Sequence, residues 1–384
     1  MPIKFLYIDD EKKETIHELV ELIESSSDGE LSIHHEQVMD SIHAVGLFAR
    51  EQQFDGILID QDLKAVSDDG NKADYFGTTL AQQLRTEMAV QNIPPLPLVL
   101  ISYEEIILNQ LEPDDSAKNL FDAVIRKRDL KEAIGRSSAA KHLVSLVRAY
   151  ETASNYRKDV GHDLELEEVR EILNCDQETF AQIDTRFIDF LSSKASDPHA
   201  LVGAIFSTLV QSAGMLVTET MLQTKLGMSS DSGDWGTCKA LLDEYKYKGP
   251  FSQIKDRWWF SRIEDWWFDL CPESVLQSLT CEERVDVLKA KLDLDELSAI
   301  PIRYPNGEQS QNLWVNCVLS GTPLDPFDAL RVRDPEAKSW EQPKYMDVKA
   351  YLEDPTDPKK FVVHTDDQKK IKKLLVRLKP DVNG

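Results

Sequence analysis

Five side chains at the ends of short apolar runs could do chemistry together. Asp9 and Asp10 close "KFLYIDD", Asp60 closes "GILID", Ser102 closes "LVLIS" and Lys127 closes "AVIRK". Three carboxylates, a hydroxyl and an ammonium make an oxygen-rich donor set with a fixed cation beside it. Mg²⁺ favours such a set, because it takes oxygen ligands, needs few carboxylates and keeps several waters. Two adjacent carboxylates at one strand tip repel, and a bound cation offsets that repulsion. A carboxylate beside a metal can act as nucleophile toward a phosphoryl group, giving an acyl phosphate. The metal and Lys127 would then neutralise the transferring oxygens, and Ser102 could hydrogen-bond the product. The plainer reading is five unrelated polar residues at solvated strand ends; their order along the chain argues against it.

For these residues to meet, the runs before them must lie side by side. Residues 4–9, 30–38, 54–63, 96–102 and 121–127 read as strands. Helical spacing of apolar residues fills the intervals at 12–25, 41–52, 76–88 and 104–112. Strands alternating with helices predict βαβ units and a parallel sheet with helices on both faces. Runs of consecutive apolar residues such as "FLYI" suit strands buried on both sides. In such an open sheet, ligands bind beyond the carboxyl ends of the strands, where the strand order reverses. The expected fold is α/β: a doubly wound, five-stranded, flavodoxin-like sheet, then a mainly helical C-terminal domain. Expected boundaries are 1–135 for the first domain, 136–158 for a connector helix and 159–384 for the rest.

The motifs "IDDE", "LID", "LIS" and "IRK" resemble those of the receiver domain of two-component response regulators, over about residues 3–135. The resemblance implies that Asp60 accepts a phosphoryl group from a histidine kinase or phosphotransfer protein. It implies that Asp9, Asp10 and Asp60, with the carbonyl of Asp62, hold Mg²⁺. Ser102 and Lys127 become the residues that respond to the phosphoryl group. Departures from the pattern are Tyr103 where a small residue is usual, Arg128 where proline is usual, and Val124 where the switch aromatic is usual. The loop after Asp60, "QDLKAVSDDGNKADYFG", is also longer than usual and reads as a solvated insertion.

Composition narrows the partners. A length of 384 residues allows two or three domains. The formal net charge of −24 makes nucleic acid an unexpected partner. Five scattered cysteines without a CxxC pair argue against a disulfide framework or a zinc site. With no signal sequence and no membrane-spanning run, a cytoplasmic location is expected. In the second half, "RWWFSRIEDWWFDL" (257–270) is expected to be a central core helix, its aromatics recurring eight residues apart. "DDQKKIKKLLVRLK" (366–379) reads as an amphipathic helix with a solvated lysine face. His34 and His35, on opposite faces of a strand, make poor joint metal ligands with His43. No motif names an enzymatic activity after residue 160.

The expected function is a phosphoacceptor of the response-regulator kind that signals to its C-terminal domain, with a homodimer or protein partner engaged there. Alternatives are an interaction module that keeps the fold without the chemistry, a phosphate sink in a bacterial defence system, and an enzyme in 160–384 gated by the first domain.

Overall fold

The computed structural model describes residues 1–39, 41–64, 70, 73–103, 107, 119–301, 312–353 and 361–377. Backbone contacts divide the chain into two compact units. The first comprises residues 1–173, 188–206 and 249–255, and the second 174–187, 207–248 and 256–384.

In the first unit, β1 (Ile3–Asp9), β2 (Leu31–Gln37), β3 (Gly56–Ile59), β4 (Leu98–Ser102) and β5 (Ala123–Arg126) form one sheet in the order β2-β1-β3-β4-β5. Every pairing is parallel, with Ile8 beside Ile59 and Ser102 beside Arg126. This is the doubly wound, flavodoxin-like order, and its switch point lies between β1 and β3. The apolar runs are continuous because the inner strands are covered on both faces. Phe5, Leu6, Ile8, Ile57, Ile59, Leu98, Val99 and Leu100 are fully buried.

Helices α1 (Lys13–Ser25), α2 (Ile42–Glu51), α3 (Gly77–Ala89) and α4 (Ala133–Asn155) supply the covering layers. Val45 and Ala49 of α2 and Leu80, Leu84 and Met88 of α3 share a core with Leu6, Ile8, Ile57, Ile59, Leu98 and Leu100. The connector expected at 136–158 is the body of α4, which buries Leu143, Val144, Leu146, Val147 and Tyr150. It packs on α1 and on the helix Pro198–Ile205. The whole of α4 lies within the first compact unit. The expected helix at 104–112 and the middle of the loop at 65–72 fall outside the described residues, Ile107 and Gly70 excepted.

A buried polar web ties the amino ends of the strands. Asp122 accepts from Arg85 Nη2 at 2.7 Å, from the Tyr150 hydroxyl at 2.7 Å and from the Leu98 N–H at 2.8 Å, with His199 Nδ1 at 2.8 Å. Burial would raise this carboxyl, but Arg85 and His199 hold it down at about 2.

The second unit is mainly helical. Its core gathers Leu222 and Leu226 from the helix Glu219–Leu226, Cys238 from Trp235–Leu241, Ile263 and Trp267 from Phe260–Leu270, and Leu288 from Cys281–Leu292. Gly227, at φ 76°, ends the first of these in the left-handed conformation that glycine adopts freely. The expected helix 257–270 is corrected at its start. Arg257–Trp259 is a strand, paired antiparallel with Leu216–Thr218, and the helix begins at Phe260. Adjacent bulky aromatics suit a pleated strand, so the eight-residue repeat of the tryptophans joins two different elements. Trp258 and Trp267 are nonetheless core residues, whereas Phe268 is exposed. Farther on, short strand pairs (Val315–Asn316 with Pro323–Leu324, Leu330–Arg331 with Tyr345–Met346) precede the helices Val348–Glu353 and Lys370–Arg377. The last of these falls within the expected 366–379. Among the described residues no helix is long and apolar enough to cross a membrane.

Candidate functional site

All five strand-end residues reach the carboxyl edge of the sheet. Parallel register does this: each strand ends on the same side, so whatever follows its last apolar residue lands on one rim. Asp9, Asp60, Ser102 and Lys127 are all buried. Lys127 Nζ lies 3.0 Å from Asp9 Oδ2, 3.1 Å from Asp60 Oδ1 and 3.6 Å from Glu11 Oε1. The Lys127 N–H continues the ladder by donating to the Ser102 carbonyl at 2.9 Å, which fixes β5 against β4 at the site.

Each carboxylate has its own surroundings. Asp9 Oδ1 accepts the Glu11 N–H at 2.8 Å, and its Oδ2 accepts both the Tyr7 hydroxyl and Lys127. Burial pushes the Asp9 carboxyl up, but Lys127 and these donors hold it below its ordinary value. Asp60 Oδ2 accepts the Asp62 N–H at 2.9 Å. Burial moves its carboxyl up to about 6; Lys127 works against that shift and Asp9 adds to it. Asp10 is half-buried, and desolvation followed by the charge of Asp9 brings it up to about 6 as well. For Lys127, burial alone would lower the ammonium, yet Asp9 and Asp60 raise it above its ordinary value. The lysine stays charged.

The Ser102 hydroxyl is buried with no hydrogen-bond partner among the described residues. A buried hydroxyl left without a partner is uncommon and calls for a reason. The residue closes β4 at the carboxyl edge of the sheet, and its carbonyl accepts the Lys127 N–H.

Glycine shapes the floor. A Cβ on Gly77 would lie 2.2 Å from the Asp60 carbonyl oxygen, and the Gly77 N–H donates to the Gln61 carbonyl at 2.9 Å. The start of α3 can touch the phosphoacceptor candidate's backbone only because residue 77 has no side chain.

The departures from the receiver pattern also find places. Tyr103 is half-exposed, and its ring centroid lies 4.9 Å from Lys127 Nζ, a cation–π contact. Val124 is exposed on β5, and Arg128 is near Asp129 at 3.4 Å. Asp62 is exposed. His34 is exposed and His35 half-buried on β2, and His34 pairs with Glu36 at 2.6 Å. Among the described residues no three carboxylate, imidazole or thiolate groups form a finished cation cage. Asp9 and Asp60 are drawn instead to the Lys127 ammonium.

Two participants escaped the sequence reading. Tyr7 sits two residues before Asp9, on the same strand face, so the period of two is the signal that could have found it. Glu11 has no such signal.

Comparison with family models finds no match, and neither does comparison with the curated proteins. Among solved structures, the chain is similar to the RcsB response regulator of Salmonella typhimurium, described for its conformational dynamism in DNA interaction. Identity is 11%, with 50% of this chain and 99% of that chain covered, and the TM-score is 0.23. The flavodoxin-like assignment rests on strand order and register, not on this likeness.

Proposed function

We propose that the first unit is a phosphoacceptor of the response-regulator kind and that Asp60 carries the phosphoryl group. A carboxylate oxygen of Asp60 attacks phosphorus, and the bond from phosphorus to the donor's nitrogen or oxygen breaks. The leaving group keeps the electron pair, and the product is a mixed carboxylic–phosphoric anhydride. The observation that carries this reading is the buried Lys127 ammonium spanning Asp60 and Asp9, with Ser102 at the end of the neighbouring strand carrying a buried hydroxyl that has no partner among the described residues. An ammonium this close to Asp60 would pair with phosphoryl oxygens once the carboxylate is phosphorylated, and Ser102 would then gain an acceptor.

The residues fit Mg²⁺ as cofactor. Asp9, Asp10 and Asp60, with the carbonyl of Asp62, would hold it, an all-oxygen donor set of the kind this ion takes. Bound there, the ion supplies positive charge to the incoming phosphoryl oxygens. The donor would be a phosphohistidine on a kinase or phosphotransfer protein, and the second unit would receive the signal or dock its target.

One observation favours a second reading, an interaction module without phosphoryl chemistry. Lys127 already balances Asp9 and Asp60, and the Tyr103 ring lies against it. Intact-mass spectrometry after acetyl phosphate treatment separates the two. The phosphoacceptor takes up one phosphoryl group with Mg²⁺ and none with chelator, and Asp60→Asn takes up none. An unmodified wild-type protein supports the interaction module.

A further inference from the structure

Tyr7 carries a polar hydroxyl within the buried apolar run of β1. Its neighbours Phe5, Leu6 and Ile8 are fully buried hydrocarbons, and Tyr7 is 1% exposed. Phe5 fills the same face two residues earlier without a hydroxyl. A phenol oxygen buried in such a layer is costly unless it is hydrogen-bonded. Its partner is Asp9 Oδ2, the oxygen that also receives Lys127.

A carboxylate needs a bond at each oxygen to fix its plane. At Oδ1 the Glu11 N–H does this at 2.8 Å. At Oδ2 the Lys127 bond alone would be a weak constraint, because that ammonium is shared with Asp60 and Glu11. The Tyr7 hydroxyl comes from a rigid strand whose register with β2 sets it opposite His35, and the two rings meet edge to face at 5.7 Å. Its direction is therefore set by packing, not by the charges it serves.

We infer that Tyr7 is a positioning residue: it fixes the plane of Asp9, and through Asp9 sets both the cation affinity of the rim and the place of Lys127. This rests on the phosphoacceptor reading. Hydrogen-bonded partners of metal ligands commonly control affinity by about 10–100-fold.

The test is Mg²⁺ binding by calorimetry to the full chain without phosphodonor, comparing wild type with Tyr7→Phe. Folded Tyr7→Phe, checked by circular dichroism, should bind Mg²⁺ about tenfold more weakly. A merely structural tyrosine would leave that affinity unmoved, and equal affinity in the folded variant overturns the inference. Should Tyr7→Phe not fold, 3-fluorotyrosine placed at position 7 decides, since it keeps the donor and the shape. Its fluorine resonance should shift on addition of Mg²⁺, and a resonance that stays still overturns the inference. Wild-type protein that binds no Mg²⁺ and takes up no phosphoryl group overturns the phosphoacceptor reading, a result distinct from an unaltered Tyr7→Phe.

Discussion

Lys127 in the first unit and Lys225 in the second are both buried, and the chain treats their charges in opposite ways. Lys127 lies among Asp9, Asp60 and Glu11. Lys225, 2% exposed, lies over the rings of Phe260 at 4.4 Å and Trp314 at 4.2 Å, and donates to Gln342 Oε1 at 3.1 Å. Burial disfavours the charged form of both. Around Lys127 the carboxylates outweigh burial and the ammonium is held on. Around Lys225 burial prevails, with Glu264 opposing it and the nearby Arg284 reinforcing it, and the amine falls to about 7. Aromatic faces compensate a buried cation less than carboxylates do. The first arrangement holds an ammonium charged among carboxylates, whereas the second is a packed amine in a core.

Deleting each ammonium tests that contrast most strongly. Lys127→Met leaves Asp9 and Asp60 buried without their cation and should destabilise the chelator-treated protein by about 3–5 kcal/mol at pH 7. Equal losses in the two lysine variants, measured by urea unfolding, would erase the distinction. Lys225→Met should be neutral or stabilising at pH 7, by up to a few kcal/mol. The sign follows from the lowered value: the folded amine is largely neutral above about 7, whereas the unfolded one stays charged to about 10.4. Wild-type stability therefore rises relative to Lys225→Met between those two pH values, and the advantage of methionine should shrink there. An advantage independent of pH would mean that Lys225 is not held neutral.

Smaller effects sharpen the view of the rim. Gly77→Ala gains helix propensity but drives a Cβ onto the Asp60 carbonyl, and the clash should prevail by about 1–3 kcal/mol. Phosphoryl uptake should fall in the same variant; full uptake would show that the Asp60 backbone tolerates displacement. Asp10→Asn should stabilise the cation-free protein by about 1 kcal/mol at pH 7, discounted for partial exposure. Because the Asp10 carboxyl sits at about 6, wild type protonates as pH falls to about 5 and the difference should fade. Thermal midpoints at the two pH values check both the sign and the fading.

The sheet and its rim were readable because parallel strands covered on both faces leave unbroken apolar runs. Whatever polar residue ends such a run lies at a strand's carboxyl end, so Asp9, Asp60, Ser102 and Lys127 could be placed together from spacing alone. The Tyr7 hydroxyl was hidden inside one of those runs, where an aromatic reads as packing. The packing of α4 depends on contacts with α1 and with a helix about 50 residues later, which local periodicity does not encode. The same limit hid the Asp122 web, whose members Arg85, Tyr150 and His199 are scattered along the chain. At Arg257–Trp259 pairing with Leu216–Thr218 overrode a helical pattern. Lys225, inside an ordinary amphipathic stretch, carried no sign of its burial.

Borohydride reduction gives the most direct test of phosphoryl transfer to Asp60. It converts an aspartyl phosphate to homoserine, which peptide mass spectrometry locates. Full-length protein treated with acetyl phosphate and Mg²⁺ should carry homoserine at position 60 and at no other aspartate, and omission of Mg²⁺ should abolish it. Homoserine at another position, or none under conditions where the protein is folded and binds Mg²⁺, would contradict Asp60 as the phosphoacceptor.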